Sequence, residues 1–199
     1  MRFQILIPTY NRGEILQKNL LYLLNEIKLH QLQSEIGIVV SDNASPDDTF
    51  TILNSLKPAF EDAGIDYQIY RNETNTGLEG NGVKILGYAT AEYVIWLGDD
   101  DFLPEGFLEY AVKIFKSDNI GWMLTGAIAE YSDGSRSEMY HLKYDEKRFP
   151  EGYDTIWSVS HYCHKMSGLV VKREGVLEAY LAKPEWRNIY LYIYFLLYN

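Results

Sequence analysis

Four short apolar runs, separated by longer amphipathic segments, constrain the fold of this chain most strongly. Between the runs, apolar residues recur at helical spacing, as Leu16, Leu20 and Leu23 do after the first run. Strands that alternate with helices of this length predict βαβ crossovers, and therefore an α/β fold with a mostly parallel sheet flanked by helices. The strand-like runs are FQILIP at 3–8, IGIVVSD at 36–42, DYQIYRN at 66–72 and EYVIWLG at 92–98.

The helix boundaries and the second half of the chain are less regular. Ser45 is suited to the N-cap of the second helix and Pro46 to its first position, and another helix is predicted over about 104–117. Beyond residue 120 we expect a hairpin that turns at Asp133-Gly134, and a strand that passes into a helix over 164–176. Because no linker or repeat divides the chain, we expect one domain over 1–199, with an α/β half at 1–118 and a smaller mixed half at 119–199.

Composition excludes several classes of protein. The net charge of -10 leaves no basic stripe for nucleic acid, and the single cysteine, Cys163, excludes an intrachain disulfide framework. The N-terminal apolar run is too short for a secretory signal, and no run reaches the ~20 apolar residues of a membrane span. The apolar tail at 188–199 is compatible with a buried terminal helix or with peripheral contact to a membrane surface. From the abrupt end of this tail we expect the natural protein to be longer or only partly covered by this sequence.

Polar residues follow each of the four predicted strands. The strand ends read PTYNR, SDNAS, RNETNTG and GDDD. In a parallel sheet these ends face the same edge, and ligands bind there. The sequence therefore predicts one polar ligand site, at the carboxyl edge of the sheet.

Three consecutive aspartates, Asp99 to Asp101, follow the fourth run. Adjacent carboxylates repel one another unless a cation lies between them, and Mg²⁺ and Mn²⁺ prefer such oxygens. Acidic residues also favour helix starts, so a capping role is the alternative. A cap needs only one aspartate, and the other strand ends share the same edge, so we favour the cation.

Two other polar positions carry both a binding and a structural interpretation. Asp42 stands where doubly wound folds bind a ribose or nucleoside hydroxyl, and Arg12 can approach a phosphate. An Asx turn at Asp42 and an ordinary strand-to-helix turn at Arg12 are the alternatives. The glycines at 77, 80, 82 and 87 do not have dinucleotide-binding spacing, and no P-loop motif occurs.

Together, ILIPTYNR, VVSDNASPDDT, NTGLEGN and EYVIWLGDDDFLPEG resemble the nucleotide-sugar-binding half of family 2 glycosyltransferases, which have the GT-A fold. The WLGDDD ending is similar to the subgroup that builds bacterial O-antigen and capsule, including abequosyltransferase-like enzymes. The resemblance covers about residues 3–107.

The resemblance implies roles for particular residues. Asp42 would hydrogen-bond the nucleobase, and Asp99 to Asp101 match the DXD-type motif that binds Mn²⁺ or Mg²⁺ at the diphosphate. Because Gly98 stands where the family often has Asp, we expect Asp99 near the ribose, Asp100 near the metal and Asp101 as its direct ligand. The residues expected around the nucleotide sugar are Pro8, Thr9, Tyr10, Arg12, Asp42, Asn75, Gly77, Asn81, Asp99 and Asp100.

The resemblance also implies a hexosyltransferase-type reaction with inversion. The donor would be a UDP-, GDP-, CDP- or dTDP-linked sugar, and the acceptor a saccharide or a polyprenyl-linked saccharide of cell-surface polysaccharide biosynthesis. The protein would be cytoplasmic, or lie at the inner face of the membrane. For the catalytic base we choose Glu185, with Asp154 second, although Glu185 also fits a first-turn helix acid.

Two other functions stay open at this point. A sugar-1-phosphate nucleotidyltransferase would need a glycine- and lysine-bearing loop after the first strand, where PTYNRGE offers only Arg12 and Gly13. A noncatalytic nucleotide- or sugar-binding module would leave the aspartates as helix caps and need no base.

Overall fold

The computed structural model describes residues 1–131, 133–138, 146–159, 165–188 and 190–198. The strands are β1 (Phe3–Thr9), β2 (Ile36–Asp42), β3 (Tyr67–Arg71), β4 (Tyr93–Trp96), β5 (Trp122–Met123), β6 (Ile128–Glu130), β7 (Arg136–Glu138) and β8 (Leu169–Lys172). The helices are α1 (Gly13–Leu29), α2 (Thr49–Ser55), α3 (Lys57–Asp62), α4 (Gly77–Tyr88), α5 (Phe107–Ser117), α6 (Tyr153–Val159), α7 (Val176–Leu181) and α8 (Leu191–Tyr198), with a 3-10 turn at Pro184–Trp186.

Six strands form one sheet in the order β3-β2-β1-β4-β8-β5. The first four are parallel, whereas β8 runs antiparallel to both of its neighbours. The order reverses between β1 and β4, because the chain moves outward through β2 and β3 and then returns to the other side of β1. Such a switch point leaves a crevice at the carboxyl ends of the strands.

Each face of the sheet is covered by its own apolar layer. Alternate residues of β1 point to opposite faces: Ile5 and Ile7 pack with α1 and α5, whereas Leu6 packs with α4, α7 and α8. The three-layer α/β arrangement confirms the predicted fold class. It also explains why the parallel strands are continuous apolar runs, since both of their faces are buried.

One of the predicted helix starts is wrong, and the helix predicted over about 104–117 is confirmed as α5. The helix after β2 begins at Thr49, not at Pro46, because Ser45 does not cap it: the Ser45 hydroxyl accepts a hydrogen bond from the Asn11 backbone N–H (2.8 Å). The helix predicted from 104 begins at Phe107. Gly106, with φ of 74°, redirects the chain before it, in a conformation that favours glycine.

The second half of the chain completes the sheet. Its β8 pairs with β4, and the strand followed by a helix predicted over 164–176 corresponds to β8 and α7; residue 164 lies outside the described residues. The hairpin at Asp133-Gly134 is confirmed by β6 and β7, while 139–145 lie outside the described residues. Leu191 and Phe195 of α8 are fully buried, so the tail forms a core helix. Within the described residues no helix is long and apolar enough to cross a bilayer.

Candidate active site

A cavity of about 560 Å³ lies at the carboxyl ends of β1, β2 and β4. We call it the cleft. Its walls come from the loops after these strands, from the first turns of α4, and from the segment before β8. The lining residues are Pro8, Thr9, Tyr10, Arg12, Asn43, Asn75, Gly77, Leu78, Asn81, Gly98, Asp99, Asp100, Asp101, Lys165 and Met166. Every nucleotide-sugar and metal residue expected from the sequence lies on this wall, with the exception of Asp42.

Asp42 lies beneath the wall rather than on it. Its side chain is fully buried, and Oδ1 accepts a hydrogen bond from the Ser45 backbone N–H (3.0 Å). Arg71 approaches Oδ2 only to 3.4 Å, and Oδ2 accepts no hydrogen bond from the described residues. A buried carboxylate oxygen that accepts no hydrogen bond is costly, and the charge of Arg71 offsets part of this cost.

An amide network joins the end of β2 to the start of α4. Asn43 donates to the Asn75 side chain (2.9 Å) and to the Gly77 carbonyl (3.1 Å), and its own oxygen accepts from the Thr76 backbone N–H (2.9 Å). Asn81 donates to the Ser41 carbonyl (3.0 Å). Because these bonds cross between two elements, they fix the cleft wall at Asn75, Gly77 and Asn81.

Asp99 is held at the centre of the cleft. The Thr9 hydroxyl donates to Asp99 Oδ2 at 2.7 Å, which joins the ends of β1 and β4. Burial raises the pKa of the Asp99 carboxyl, the Thr9 hydrogen bond partly offsets this, and the neighbouring Asp100 charge raises the pKa further. The carboxylate is therefore poised to gain from any positive charge that enters the cleft.

The next two aspartates are more exposed and differ in their partners. Asp100 is 4.0 Å from the Arg12 guanidinium, which is too long for a hydrogen bond. Asp101 accepts a hydrogen bond from the Ser167 hydroxyl. Each carboxylate keeps lone pairs that these contacts do not use. Asp100 and Asp101 can therefore both bind a ligand.

The donor set fits a divalent cation held together with a substrate. Among the described residues, no group of three or more His, Cys, Asp or Glu side chains is arranged to hold a metal ion by itself. Magnesium-type sites usually take one or two protein carboxylates, and substrate phosphates complete the coordination. Asp100 and Asp101 supply that number of carboxylates on the cleft wall.

A side chain at position 98 would displace the side chains of Asp101 and Ser167. A Cβ atom at this position would lie 2.8 Å from Asp101 Oδ2 and 3.2 Å from Ser167 Oγ. The Gly98 N–H also donates to Ser167 Oγ at 2.9 Å. Gly98 stands where the family often has Asp. In this chain Ser167 links the end of β4 to Asp101, next to this glycine.

Five lining residues were not expected from the sequence: Asn43, Leu78, Gly98, Lys165 and Met166. Three of them adjoin expected residues, but Lys165 and Met166 come from the second half of the chain. They reach the cleft because β8 is antiparallel to β4 and pairs Leu169 with Trp96, so the residues before β8 lie at the carboxyl end of β4. Only the direction and position of β8 could have revealed them.

The two candidates for the catalytic base do not line the cleft. Asp154 is exposed in the first turn of α6, and Glu185 is exposed in the 3-10 turn. A second cavity, of about 410 Å³, is lined by Glu79, Pro184, Arg187 and Asn188, which places Glu185 beside it in the chain. Glu79, which lines this second cavity, follows Leu78 of the cleft in the first turn of α4.

The fold is that of GT-A glycosyltransferases. In crystal structures, S. aureus TarS in complex with UDP-GlcNAc superimposes with a TM-score of 0.64 at 16% identity, over 98% of this chain and 54% of that one. The mannosyltransferase PcManGT from Pyrobaculum calidifontis, in complex with GDP-Man and Mn²⁺, gives 0.61 at 17% identity, over 89% and 46%. At this identity the likeness concerns the fold.

The sequence comparisons identify the family. The model of glycosyl transferase family 2 matches residues 4–173, and the chain belongs to this family. It is 33% identical over 107 residues to the Campylobacter jejuni GalNAc(5)-diNAcBac-PP-undecaprenol beta-1,3-glucosyltransferase, and 32% identical over 108 residues to abequosyltransferase RfbV of Salmonella typhimurium. Each match covers 54% of this chain but only 32% and 31%, respectively, of the relative.

Proposed function

We propose that this protein transfers a sugar, with inversion, from a nucleotide-diphosphate donor to a saccharide or lipid-linked acceptor, and that it needs a divalent cation. The single observation that carries the proposal is the cleft, where Asp99 to Asp101 meet the ends of β1 and β2 at the switch point of the sheet. Family membership and the donor complexes of the structural neighbours support the same reaction.

The nucleoside part of the donor would bind between β1, β2 and α4. Asp42 is our candidate partner for a base N–H or a hydroxyl; because Oδ2 is buried beneath the wall, 3.4 Å from Arg71, the donor would reach it only after that cover moves. Pro8, Thr9 and Tyr10 form the wall that follows β1. Since several bases carry an N–H group, this arrangement does not select among UDP, GDP, CDP and dTDP.

The diphosphate would lie over the loop that follows β4 and contains Asp99 to Asp101. Asp100 and Asp101 would hold Mn²⁺ or Mg²⁺, with Asp99 toward the ribose. The bound ion would supply Lewis-acid stabilisation of charge on the departing diphosphate. Arg12 and Lys165 line the same cleft and add positive charge where a diphosphate would bring negative charge.

The acceptor would enter from the second half of the chain. Inversion requires a base that removes the proton from the acceptor hydroxyl. Glu185 is our candidate and Asp154 the second; proximity of Glu185 to the cavity lined by Pro184 and Arg187 supports this order. The pairing of β8 and β5 with the main sheet supports one domain composed of 1–118 and 119–199.

We place the protein in bacterial cell-surface polysaccharide synthesis, at the inner face of the membrane. The support is the Campylobacter relative, whose name describes an undecaprenol-linked saccharide. A peripheral membrane contact would use the exposed part of the C-terminal segment, where Tyr190 and Tyr198 are about half exposed. The buried residues of α8 pack in the core, so they would not take part in this contact.

The test is calorimetric titration of UDP, GDP, CDP and dTDP, each with and without Mn²⁺. We expect one of them to bind much more tightly with the cation, and the double variant Asp100→Asn/Asp101→Asn to lose that gain. The matched control is Glu61→Gln/Asp62→Asn, which makes the same charge change on the exposed end of α3.

Hydrolysis of the matching nucleotide sugars then separates an enzyme from a binding module. We expect the wild type to release nucleoside diphosphate slowly and the Asp100→Asn/Asp101→Asn variant to lose this activity. Equal turnover in the two proteins, or binding that ignores Mn²⁺, would refute the proposed mechanism. Binding without any turnover would favour a noncatalytic module.

A further inference from the structure

Three side chains on α1 bind the backbone of the acidic loop, which we define as residues 98–106. Asn19, Tyr22 and Glu26 are three and four residues apart, so they lie along one side of the helix and span about 10 Å. We call them the α1 stripe. The acidic loop contains all three aspartates of the cleft.

The α1 stripe contacts the beginning, middle and end of the loop. Asn19 Nδ2 donates to the Gly98 carbonyl (3.3 Å) and to the Asp101 carbonyl (2.5 Å). The Tyr22 hydroxyl donates to the Leu103 carbonyl at 2.8 Å. All three accepting groups are backbone oxygens, so these bonds define the path of the loop.

The third member of the stripe fixes the end of the loop. Glu26 Oε2 accepts a hydrogen bond from the Gly106 backbone N–H at 3.0 Å, at the glycine that redirects the chain into α5. The same carboxylate lies 3.8 Å from His30 Nε2, and His30 Nδ1 lies 3.2 Å from Glu109 of α5. Both ends of the loop are thus tied to α1.

Packing alone does not explain these residue types. Asn19 is fully buried and Glu26 is 6% exposed, on a side of α1 that otherwise packs Leu16, Leu20 and Leu23 into the core. Burying an amide or a carboxylate costs free energy unless hydrogen bonds compensate it, and leucine would pack without that cost. The bonds to the loop provide this compensation for Asn19 Nδ2 and Glu26 Oε2, whereas Asn19 Oδ1 accepts no hydrogen bond from the described residues.

We propose that the α1 stripe is a positioning device that holds the acidic loop in the conformation needed for cation-dependent binding of a nucleoside diphosphate. That the ligand is a nucleoside diphosphate is taken from the proposed function. The stripe does not touch the ligand: it acts through the loop backbone, which orients Asp100 and Asp101 toward the cleft. A carboxylate pair that is already oriented loses less conformational freedom when the cation binds.

The first measurement is amide hydrogen exchange of residues 98–106 in the metal-free full-length chain. We expect about 3- to 10-fold faster exchange in Asn19→Leu and in Glu26→Ala, the latter centred on Gly106. Glu26→Gln retains a side-chain oxygen that can accept from Gly106, so it should behave like the wild type. Asn25→Leu, on the exposed side of α1, is the control for Asn19→Leu.

The second measurement is the gain in affinity from Mn²⁺, expressed as the ratio of Kd without and with the ion, for whichever of UDP, GDP, CDP and dTDP binds best. Tyr22→Phe removes only a hydroxyl and is the variant most certain to fold. We expect Tyr22→Phe and Glu26→Ala to lower this ratio about 3- to 10-fold while Kd without Mn²⁺ stays constant. A purely structural role would shift the melting temperature and leave the ratio unchanged.

The outcomes separate this inference from the proposed function. Unchanged exchange in the loop, or an unchanged Mn²⁺ ratio beside lower stability, overturns the positioning role. If the wild type binds no nucleoside diphosphate, the proposed function fails. In that case the amide hydrogen exchange of residues 98–106 still tests whether the α1 stripe holds the loop.

Discussion

The Thr9 hydroxyl donates a hydrogen bond to Asp99 Oδ2 at 2.7 Å, although the two residues are 90 positions apart in the chain. The contact exists because β1 and β4 are parallel neighbours that end at the same edge of the sheet. It holds a carboxylate, whose pKa is raised by burial and by Asp100, at the point where the strand order reverses. Burial therefore makes the charged form of Asp99 costly, and the cation that we propose would offset this cost.

Asp99→Asn should therefore stabilise the metal-free protein. The amide can still accept from Thr9 through its oxygen, and it removes a half-buried charge beside Asp100. We expect the melting temperature at neutral pH, with a chelator present, to rise by about 2–4 °C, while nucleoside diphosphate binding weakens. Asp62→Asn, an exposed substitution on α3, is the control. A lower melting temperature for Asp99→Asn would contradict this interpretation.

Gly98→Ala should disturb the site without removing any carboxylate. The new Cβ would lie 2.8 Å from Asp101 Oδ2, so the bond between Ser167 and Asp101 must shift. We expect Mn²⁺-dependent binding of the nucleoside diphosphate to weaken by about tenfold or more, measured by calorimetry. Gly87→Ala, where a Cβ meets only Leu177 at 3.6 Å, should leave binding unchanged. Equal affinities in the two variants would mean that Asp101 does not need its present position.

Much of this architecture follows from local patterns in the sequence. Strand ends such as those at Thr9 and Asp99 could be assigned to one edge because strands that alternate with helices are parallel, and parallel strands end at the same edge. Lys165 and Met166 could not be found, since their place depends on β8 entering the sheet antiparallel to β4. The prediction that Ser45 caps a helix is wrong. A sequence does not distinguish a serine that caps a helix from a serine whose hydroxyl binds another loop.

The amide network contains a residue that sequence reasoning passed over. Asn43 is nearly fully buried, and its side-chain nitrogen donates to Asn75 and to Gly77. Asn43→Asp preserves the shape but removes both donors and buries a charge. We expect a loss of about 2 kcal/mol, or about 4–8 °C in melting temperature, with weaker nucleotide binding in the absence of metal. Asn119→Asp, at an exposed position, should change neither quantity; a similar loss there would point to a general charge effect.

Glu185→Gln tests the assignment of the catalytic base. If Glu185 removes the acceptor proton, the substitution should lower turnover about 10²- to 10⁴-fold and leave the Kd for the donor nucleotide unchanged, because the side chain lies outside the cleft. Turnover can be measured as hydrolysis of UDP-, GDP-, CDP- and dTDP-linked sugars, since water also needs a base. Asp154→Asn is the comparison and should retain full activity. The reverse result would move the role to Asp154, and activity in both variants would show that neither carboxylate is the base.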